Sequence, residues 1–421
     1  MGLMQQAYNA ALWAAQPLLR RKLARRAVAE PLYGQAIPER FGHYTQPAET
    51  ERELVWVHAV SLGETRAAQV LIDALRQALP GMRLLITNGT ATGRAQAAAY
   101  LQPGDVQVWQ PWDTPAAVGR FLKHFQPRAG VLIETEVWPN LVLQCQAQSV
   151  PLALANARMS EKSSRQALRW QVLMQPVFAA LSAVWPQTEQ DALRLQQLGV
   201  RSCTVLGNLK FDARPDALQC AQGQAWRRAQ SRPVALLASS REGEEAAWLA
   251  AWQAIANAGR ALQWLIVPRH PQRVDEVEAL LQAQGLRVSR RSQWADVPEP
   301  ADVWLGDSLG EMALYYSLSD VAMLGGSFGP WGGQNLIEAA ACGCPVIMGP
   351  HTFNFTQAAE MAQQAGAALR VLDIAEGLDQ AQRLLQDRSG HAQAAMAAHQ
   401  FAQAHQGAAQ RTACAVRDLL A

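Results

Sequence analysis

The sequence predicts an α/β protein with two parallel sheets, each covered by helices on both faces. Three observations support this fold class. The chain has 421 residues, which at roughly 150 residues per domain is enough for two large domains. Apolar residues make up 49% of the chain, so extensive cores can form. Short apolar runs of β-strand character alternate with Ala-, Gln- and Leu-rich stretches of helical character.

The predicted strands form two series, which a polar stretch near residues 212–232 separates. The first series consists of LVWVHAV (54–60), MRLLITN (82–88), VQVW (106–109), AGVLIE (129–134), VPLALAN (150–156) and SAVWPQT (182–188). The second series consists of PVALLAS (233–239), LQWLIVP (262–268), DVWLGD (302–307), DVAMLGG (320–326) and CPVIMG (344–349). We therefore predict an arm (1–30), a Rossmann-like domain (31–212), a linker (213–232) and a second Rossmann-like domain (233–421), whose last helix can return to the first domain.

The charge and the cysteines of the chain exclude some classes of function. The formal net charge is only +2, so the whole chain does not have the charge of a nucleic-acid-binding polyelectrolyte. The positive charge is concentrated near the start, where five basic residues precede the first acidic one: Arg20, Arg21, Lys22, Arg25 and Arg26. The six cysteines form no CxxC pair, and HExxH and DxD motifs are missing from the sequence. We therefore expect reduced thiols and no metal site.

The N-terminal arm has the pattern of an amphipathic helix. Its longest apolar run, Ala10 to Ala15, is far shorter than the 18 or so residues of a spanning helix. Apolar residues recur at helical spacing at Met4, Tyr8, Leu12, Ala15 and Leu19. Two interpretations remain, a helix that lies on a membrane and a helix that packs on the first domain. The basic cluster favours the membrane, since each cation contributes about 1 kcal/mol near an anionic leaflet.

Polar segments follow the predicted strands in both series. They include SLGE (61–64), ETEVWPN (134–140), NARMS (156–160), GNLKFD (207–212), PRHP (268–271) and GGSFGPWGGQN (325–335). Ligands of open parallel sheets bind outside the carboxyl ends of the strands. We expect the two edges to face each other across a cleft that holds a nucleotide-linked substrate, an architecture typical of an enzyme.

Two of these segments have both a functional and a structural interpretation. Glu64 follows Ser61 at the spacing of a capping box, and it is also placed to act as a general base at the start of a helix. Asn335 and Glu338 also have capping-box spacing, but the surrounding glycines favour nucleotide binding there. No GxGxxG fingerprint occurs in this glycine-rich stretch, which argues against NAD.

Charged residues at the other strand ends offer further partners. Glu134 and Glu136 can bind a metal ion or a cation of the protein, for which Lys210 is the obvious candidate. Asn156, Arg158, Arg269 and His270 add donors for anions.

Taken in order, ten segments of the chain resemble the bacterial 3-deoxy-D-manno-octulosonic acid (Kdo) transferases. They are RFGHY (40–44), HAVSLGE (58–64), ETEVWPN (134–140), NARMS (156–160), GNLKFD (207–212), EGEE (242–245), PRHP (268–271), LGE (309–311), GGSF to GGQN (325–335) and GPHTFNF (349–355). The resemblance implies a GT-B glycosyltransferase that uses CMP-Kdo and a tetra-acylated lipid A precursor. It further implies a reaction at the cytoplasmic face of the inner membrane, without a metal ion or cofactor.

The resemblance also implies roles for single residues. Glu64 is then the catalytic base, while Glu134 and Lys210 stabilise the transition state. The residues expected to hold CMP are Pro268, Arg269, Leu309, Gly310, Glu311, Asn335, Leu336, Ile337 and Glu338. Two positions depart from the family pattern, because Arg241 and Gln334 stand where the family commonly has histidine. The rival functions are a nucleotide-sugar epimerase of the same architecture and a non-catalytic membrane scaffold.

Overall fold

The computed structural model describes residues 2–51, 53–254, 261–295 and 297–420. The chain divides into two compact units. The first consists of Met1–Asp212 and Gln406–Ala421, and the second of Ala213–His405. The segment predicted as a linker, 213–232, contains a helix of the second unit, Ala217–Ala229.

The first unit is built on a six-stranded parallel sheet. Its strands are β1 (Leu54–His58), β2 (Arg83–Asn88), β3 (Val106–Trp109), β4 (Ala129–Ile133), β5 (Leu152–Ala157) and β6 (Ala183–Pro186). The order across the sheet is β3-β2-β1-β4-β5-β6. Both β2 and β4 pair with β1, so the direction in which the chain winds reverses between β1 and β4. This order is that of a Rossmann fold.

The second unit is built on a seven-stranded parallel sheet. Its strands are β7 (Val234–Ser240), β8 (Gln263–Pro268), β9 (Val288–Arg290), β10 (Val303–Leu305), β11 (Val321–Leu324), β12 (Val346–Met348) and β13 (Ala368–Arg370). The order across the sheet is β13-β12-β11-β7-β8-β10-β9. Here the winding direction reverses between β7 and β11.

Helices connect the strands in both units. The first unit contains α1 (Leu3–Ala29), α2 (Leu62–Ala78), α3 (Ala91–Ala98), α4 (Pro115–Phe125), α5 (Pro139–Ala147), α6 (Glu161–Arg169), α7 (Gln171–Ala179) and α8 (Glu189–Gln197). The second contains α9 (Ala217–Ala229), α10 (Glu244–Ala254), α11 (Val274–Gln282), α12 (Met312–Leu318), α13 (Ile337–Ala341), α14 (Thr356–Gln364), α15 (Ile374–Gln386) and α16 (Arg388–Ala404). The last helix, α17 (Ala408–Leu420), packs against α2 in the first unit.

The predicted fold class is confirmed, and each of the eleven predicted runs contains a strand. Large aromatic side chains fill the cores, with Trp56 packed edge-on against Phe121 in the first unit and Trp248 against Trp264 in the second. Such pairs contribute about 0.5–1.5 kcal/mol beyond the burial of their area. The prediction omits the edge strands β9 and β13, because VSR and ALR are only partly buried and lack the continuous apolar run that marks β10 and β12, which are equally short.

Helix α1 packs on the first unit along its predicted apolar face. Leu23 is buried there, and the Tyr8 hydroxyl donates a hydrogen bond of 2.9 Å to Asp113. The Gln5 amide donates one of 2.8 Å to the side chain of Asn140. On the opposite side Trp13 and Leu18 are exposed. The helix therefore has a docked face and a free face. The docked face fits the interpretation as a helix packed on the first domain, and the free face is compatible with a helix that lies on a membrane.

Candidate active site

The polar segments of the first unit meet where the winding of its sheet reverses. Glu64 follows β1, and Glu134 and Glu136 follow β4, the strand beside it. In open α/β sheets the ligand site lies at this reversal, outside the carboxyl ends of the strands. The three carboxylates therefore stand at the position where a Rossmann-like sheet binds its ligand.

Glu64 forms the capping box that the sequence predicts. The Ser61 hydroxyl oxygen accepts a hydrogen bond from the Glu64 N–H at 3.3 Å. Glu64 Oε2 in turn accepts hydrogen bonds from the N–H groups of Val60, at 2.6 Å, and Ser61, at 3.1 Å. Burial raises the pKa of Glu64, and the charge of Glu134 adds to this effect. The capping bonds fix the side chain at the sheet edge, so the structural role also positions the carboxylate.

Glu134 and Lys210 form the ion pair that the sequence suggests. The Lys210 Nζ atom lies 2.8 Å from Glu134 Oε1, and both side chains are mostly buried. Glu134 has a φ of 62°, in the left-handed region that non-glycine residues rarely adopt. Its N–H donates to the Ala155 carbonyl at 3.0 Å, which holds this conformation. Backbone strain of this kind concentrates at functional sites.

Asn156 positions the loop that carries Lys210. Asn156 lies in β5, next to β4, and its side-chain oxygen accepts a hydrogen bond from the Leu209 N–H at 3.0 Å. The Lys210 N–H donates to the Asn208 side chain at 3.0 Å. The NARMS and GNLKFD segments therefore act together to bring the ammonium group to Glu134.

Glu136 and His58 are functional candidates to which the sequence analysis assigns no catalytic role. Glu136 Oε2 accepts a hydrogen bond of 2.8 Å from Trp138 Nε1 and lies 3.9 Å from His58 Nε2. Burial raises the pKa of Glu136 to about 7, and the charges of Glu64 and Glu134 contribute in the same direction. The signal in the sequence was the second carboxylate of ETE, which the resemblance leaves without a role.

The residues predicted to hold CMP lie at one edge of the second sheet. Pro268 ends β8 and Arg269 follows it, while Leu309, Gly310 and Glu311 follow β10, which pairs with β8. The segment Asn335 to Glu338 follows β11, which is separated from β8 by β7 alone. The fold thus brings the predicted donor residues of this unit to a common edge.

The two buried glutamates of EGEE hold three loops at this edge. Glu244 accepts hydrogen bonds from the N–H groups of Gly326, at 2.8 Å, and Arg241, at 2.8 Å. Glu245 pairs with Arg273 through both carboxylate oxygens, at 2.9 and 3.0 Å. Such charge-assisted bonds are stronger than neutral ones. Glu244 and Glu245 therefore organise the edge, although the prediction assigned them no role.

At this edge of the second sheet, the structure differs from the sequence-based expectation at two places. The capping-box alternative for Asn335 and Glu338 is wrong, because α13 begins at Ile337 without a side-chain cap. Asn335 instead accepts a hydrogen bond from the Ile337 N–H at 3.1 Å. The carboxylate of Glu311 pairs with Arg291 at 2.9 Å and also accepts a hydrogen bond from Ser308. The carboxylate of Glu311 is therefore already bound by side chains of its own unit.

The two departures from the family pattern lie together. The Arg241 guanidinium stacks over the Trp331 ring, with 4.3 Å between its central carbon and the ring centroid. A Cβ atom at Gly326 would lie 3.2 Å from the Gln334 amide and 3.5 Å from Arg241. Gly326 itself has a φ of 70°, so this position requires glycine for both space and conformation.

Among residues 2–51, 53–254, 261–295 and 297–420, no three His, Cys, Asp or Glu side chains cluster as metal ligands would. Within the same ranges no helix combines the length and the apolar character needed to cross a bilayer. The expectation of a metal-independent reaction stays a prediction.

Two α/β domains of this construction define a GT-B fold. The chain is similar to UDP-GlcNAc 2-epimerase from Neisseria meningitidis, with a TM-score of 0.59 and 14% identity over 87% of this chain and 99% of the other. It is also similar to a glycosyltransferase from Rickettsia africae, with a TM-score of 0.57 and 12% identity over 88% and 99% of the two chains. At these identities the similarity establishes the fold alone.

The family follows from similarity in sequence. Residues 35–213 match the family model described as 3-deoxy-D-manno-octulosonic-acid transferase (kdotransferase). The chain is 48% identical over 394 residues to the 3-deoxy-D-manno-octulosonic acid transferase of Bordetella pertussis, covering 91% of each protein. The chain therefore belongs to the 3-deoxy-D-manno-octulosonic acid transferase family of glycosyltransferases.

Proposed function

We propose that the protein transfers Kdo from CMP-Kdo to a tetra-acylated lipid A precursor, lipid IVA, with inversion at the anomeric carbon. The acceptor binds the first unit, and the CMP-sugar binds the second. The observation that carries this proposal is the cluster of Glu64, Glu134 and Lys210 at the reversal point of the first sheet. A carboxylate held rigidly beside an ion pair is suited to deprotonating a sugar hydroxyl.

In this proposal Glu64 is the general base. Both capping hydrogen bonds are made to Oε2, so we assign the incoming proton to Oε1. As the acceptor oxygen attacks, its O–H bond breaks and the proton passes to Glu64. The new bond to the anomeric carbon forms while the bond to the phosphate oxygen of CMP breaks, and the electron pair leaves with CMP. General-base catalysis of this kind contributes about 10²–10⁴-fold in rate.

Lys210 supplies positive charge in the same scheme. The oxocarbenium-like transition state of glycosyl transfer develops negative charge on the departing phosphate, and the Kdo carboxylate is already anionic. The pairing with Glu134 keeps the ammonium group in place, so little reorganisation accompanies the reaction.

The donor is assigned to the edge of the second sheet. We place CMP against Pro268 and Arg269, the 309–311 turn and the segment 335–338. Arg269 is exposed, and its backbone N–H donates to the Ser240 carbonyl at 2.9 Å, which anchors the turn. A guanidinium is suited to phosphate, because its planar donors match the oxygens. Since Glu311 is paired with Arg291, we expect this turn to contribute through its backbone.

We place the protein at the cytoplasmic face of the inner membrane. Helix α1 supports this location through a free face on which Leu18, Arg21, Lys22 and Arg25 are exposed together. Apolar and cationic side chains together suit the boundary of an anionic bilayer. The same membrane holds the acylated acceptor.

A reconstituted transfer reaction tests this function. The full chain is incubated with CMP-Kdo, with lipid IVA, or with both, in the presence of EDTA, and the release of CMP is followed. We expect release only when both substrates are present, together with a product heavier by the mass of one or more Kdo residues. Epimerisation of a nucleotide sugar, or CMP binding without turnover, would contradict the proposal. A requirement for an added divalent metal would contradict only its metal-independent part.

A further inference from the structure

Glu136 is a buried carboxylate to which the reaction scheme above gives no part. It lies two residues after Glu134 at the end of β4, and its side chain is 14% exposed. The Trp138 indole N–H donates to its Oε2 atom, and the His58 imidazole faces the same oxygen. Glu64 follows β1, the strand that pairs with β4, so the two carboxylates lie at the same edge of the sheet. Burial raises the pKa of Glu136, and the charge of Glu64 adds to this effect. Glu136 is therefore electrostatically coupled to the proposed base.

A chain of buried side chains orients the His58 ring. The Trp56 indole N–H donates to the Thr87 hydroxyl oxygen at 2.8 Å, and this oxygen lies 2.7 Å from His58 Nδ1. Because indole nitrogen only donates, the Thr87 proton is free to point to Nδ1, and we assign the ring proton to Nε2 on this basis. Burial lowers the pKa of His58 to about 3, so the ring stays neutral. The chain thus directs an N–H group from His58 towards Glu136.

The His58 Nε2 atom has no partner that satisfies it. It is fully buried and makes no hydrogen bond within the ranges that the structure describes. A buried donor without a partner costs about 1–3 kcal/mol. Glu136 Oε2 lies 3.9 Å away, and an ionised carboxylate attracts this N–H more strongly than a protonated one.

Charged and titratable groups from neighbouring segments surround Glu136. Glu64 on α2 and Glu134 on the same loop are anions, Lys210 is a cation that pairs with Glu134, and His58 on β1 is neutral. With three carboxylates and one ammonium group, full ionisation gives the cluster a net charge of −2. Like charges held together resist simultaneous ionisation, so the charges of Glu64 and Glu134 help to raise the pKa of Glu136 above the effect of its burial.

We propose that Glu136 is a positioning residue of the transfer reaction. Its carboxylate, held by Trp138 and facing His58, adds a negative charge at the sheet edge that also carries Glu64, and this charge makes Glu64 a stronger base. This inference rests on the proposed role of Glu64. It adds that the reaction accelerates twice with rising pH, first as Glu64 ionises and again near pH 7 as Glu136 ionises.

The pH profile of kcat tests the inference with Glu136→Gln. Glutamine keeps an oxygen for the Trp138 N–H but cannot carry the charge. We expect the variant to match the wild type below about pH 6 and to be slower by roughly threefold to tenfold at pH 8, as a weaker base requires. A merely structural role would lower kcat by the same factor at every pH, and such parallel profiles would overturn the inference.

Two further variants keep the test decisive. Trp138→Phe removes the hydrogen bond that stabilises ionised Glu136, so the second rise in kcat should move to higher pH. This variant tests the inference independently if Glu136→Gln folds poorly. Glu161→Gln is the matched control, because Glu161 is 71% exposed on α6, and its profile should equal that of the wild type. A collapse of activity in Glu64→Gln together with parallel profiles overturns the role of Glu136 alone. Full activity in Glu64→Gln overturns both roles.

Discussion

The ammonium group of Lys210 lies 2.8 Å from Glu134 Oε1, although the two residues are 76 positions apart in sequence (210 − 134 = 76). The pair joins the end of β4 to the loop after β6, and the two side chains are 23% and 14% exposed. Removing one member of such a pair leaves the other charge partly buried and unpaired.

A double-mutant cycle on this pair tests whether it acts as a unit. We expect Lys210→Met and Glu134→Gln each to lower kcat by about 10²-fold or more, and the double variant to be no worse than the poorer single one. Lys210→Met should also lower the free energy of unfolding by about 1–3 kcal/mol. The exposed pair Arg165–Glu161 is the control, where Arg165→Met should cost less than about 0.5 kcal/mol. If the losses of activity in the two single variants add up in the double variant, Lys210 and Glu134 do not act as a unit.

Glu64→Gln separates the catalytic role of Glu64 from its capping role. Glutamine also serves at this position of a capping box, so stability should change by less than about 1 kcal/mol. Loss of the base should lower kcat by about 10²–10⁴-fold. Thermal unfolding and CMP release measure the two effects.

Helix α15 offers a matched control for this substitution. Its Glu376 also stands third in the helix, where its N–H bonds to Asp373 and its carboxylate accepts from the Leu372 N–H at 2.8 Å. Glu376→Gln should cost as little stability as Glu64→Gln and leave turnover unchanged. Equal activities in the two variants would remove Glu64 as the base.

The buried carboxyl of Glu136 predicts how stability depends on pH. Its pKa rises from 4.5 to about 7 on folding, so the folded state binds this proton more tightly than the unfolded state. Its contribution to stability is complete below pH 4.5 and is lost as the pH rises through 7. Glu136→Gln should therefore lose less stability than the wild type between pH 5 and pH 8, by up to about 3 kcal/mol.

Denaturant titrations of both proteins at the two pH values measure this difference. His58 has the opposite sign, because its lowered pKa makes its contribution complete above pH 6.5 and lost as the pH falls towards 3. It is common to both proteins and cancels from the comparison. If the wild type and the variant have the same pH dependence of stability, burial does not raise the pKa of Glu136.

The cationic face of α1 predicts binding to anionic membranes. Replacing Arg21, Lys22 and Arg25 with alanine should weaken binding to vesicles of anionic phospholipid by about 10²-fold, at roughly 1 kcal/mol per cation. Binding to zwitterionic vesicles should be weak for both proteins. Arg20 is left unchanged, because it stacks on Phe41 within the first unit.

Cosedimentation with the vesicles measures this effect. A triple variant of exposed arginines elsewhere, Arg287, Arg383 and Arg417, serves as the control and should bind like the wild type. Equal loss in both triple variants would mean that net charge, and not this helix, attracts the protein to the membrane.

Much of this molecule is determined by the local sequence. The apolar runs predict eleven strands, because an apolar run can be recognised from residues that are adjacent in sequence. Ser61 and Glu64 predict the start of α2, because a capping box spans only four residues. The chemistry of the site was likewise visible, since polar segments follow the strands. The edge strands β9 and β13 are not predicted, because an edge position buries fewer of their residues and their sequences lack a continuous apolar run.

The tertiary structure alone decided which of these segments meet. The order of parallel strands is not a property of any single run, because their connections pass through helices and can join distant neighbours. Only that order brings β1 beside β4, and with it Glu136 beside His58 and under the charge of Glu64. The shift in the pKa of Glu136 arises from this assembly, since burial and like charges act through space and not along the chain.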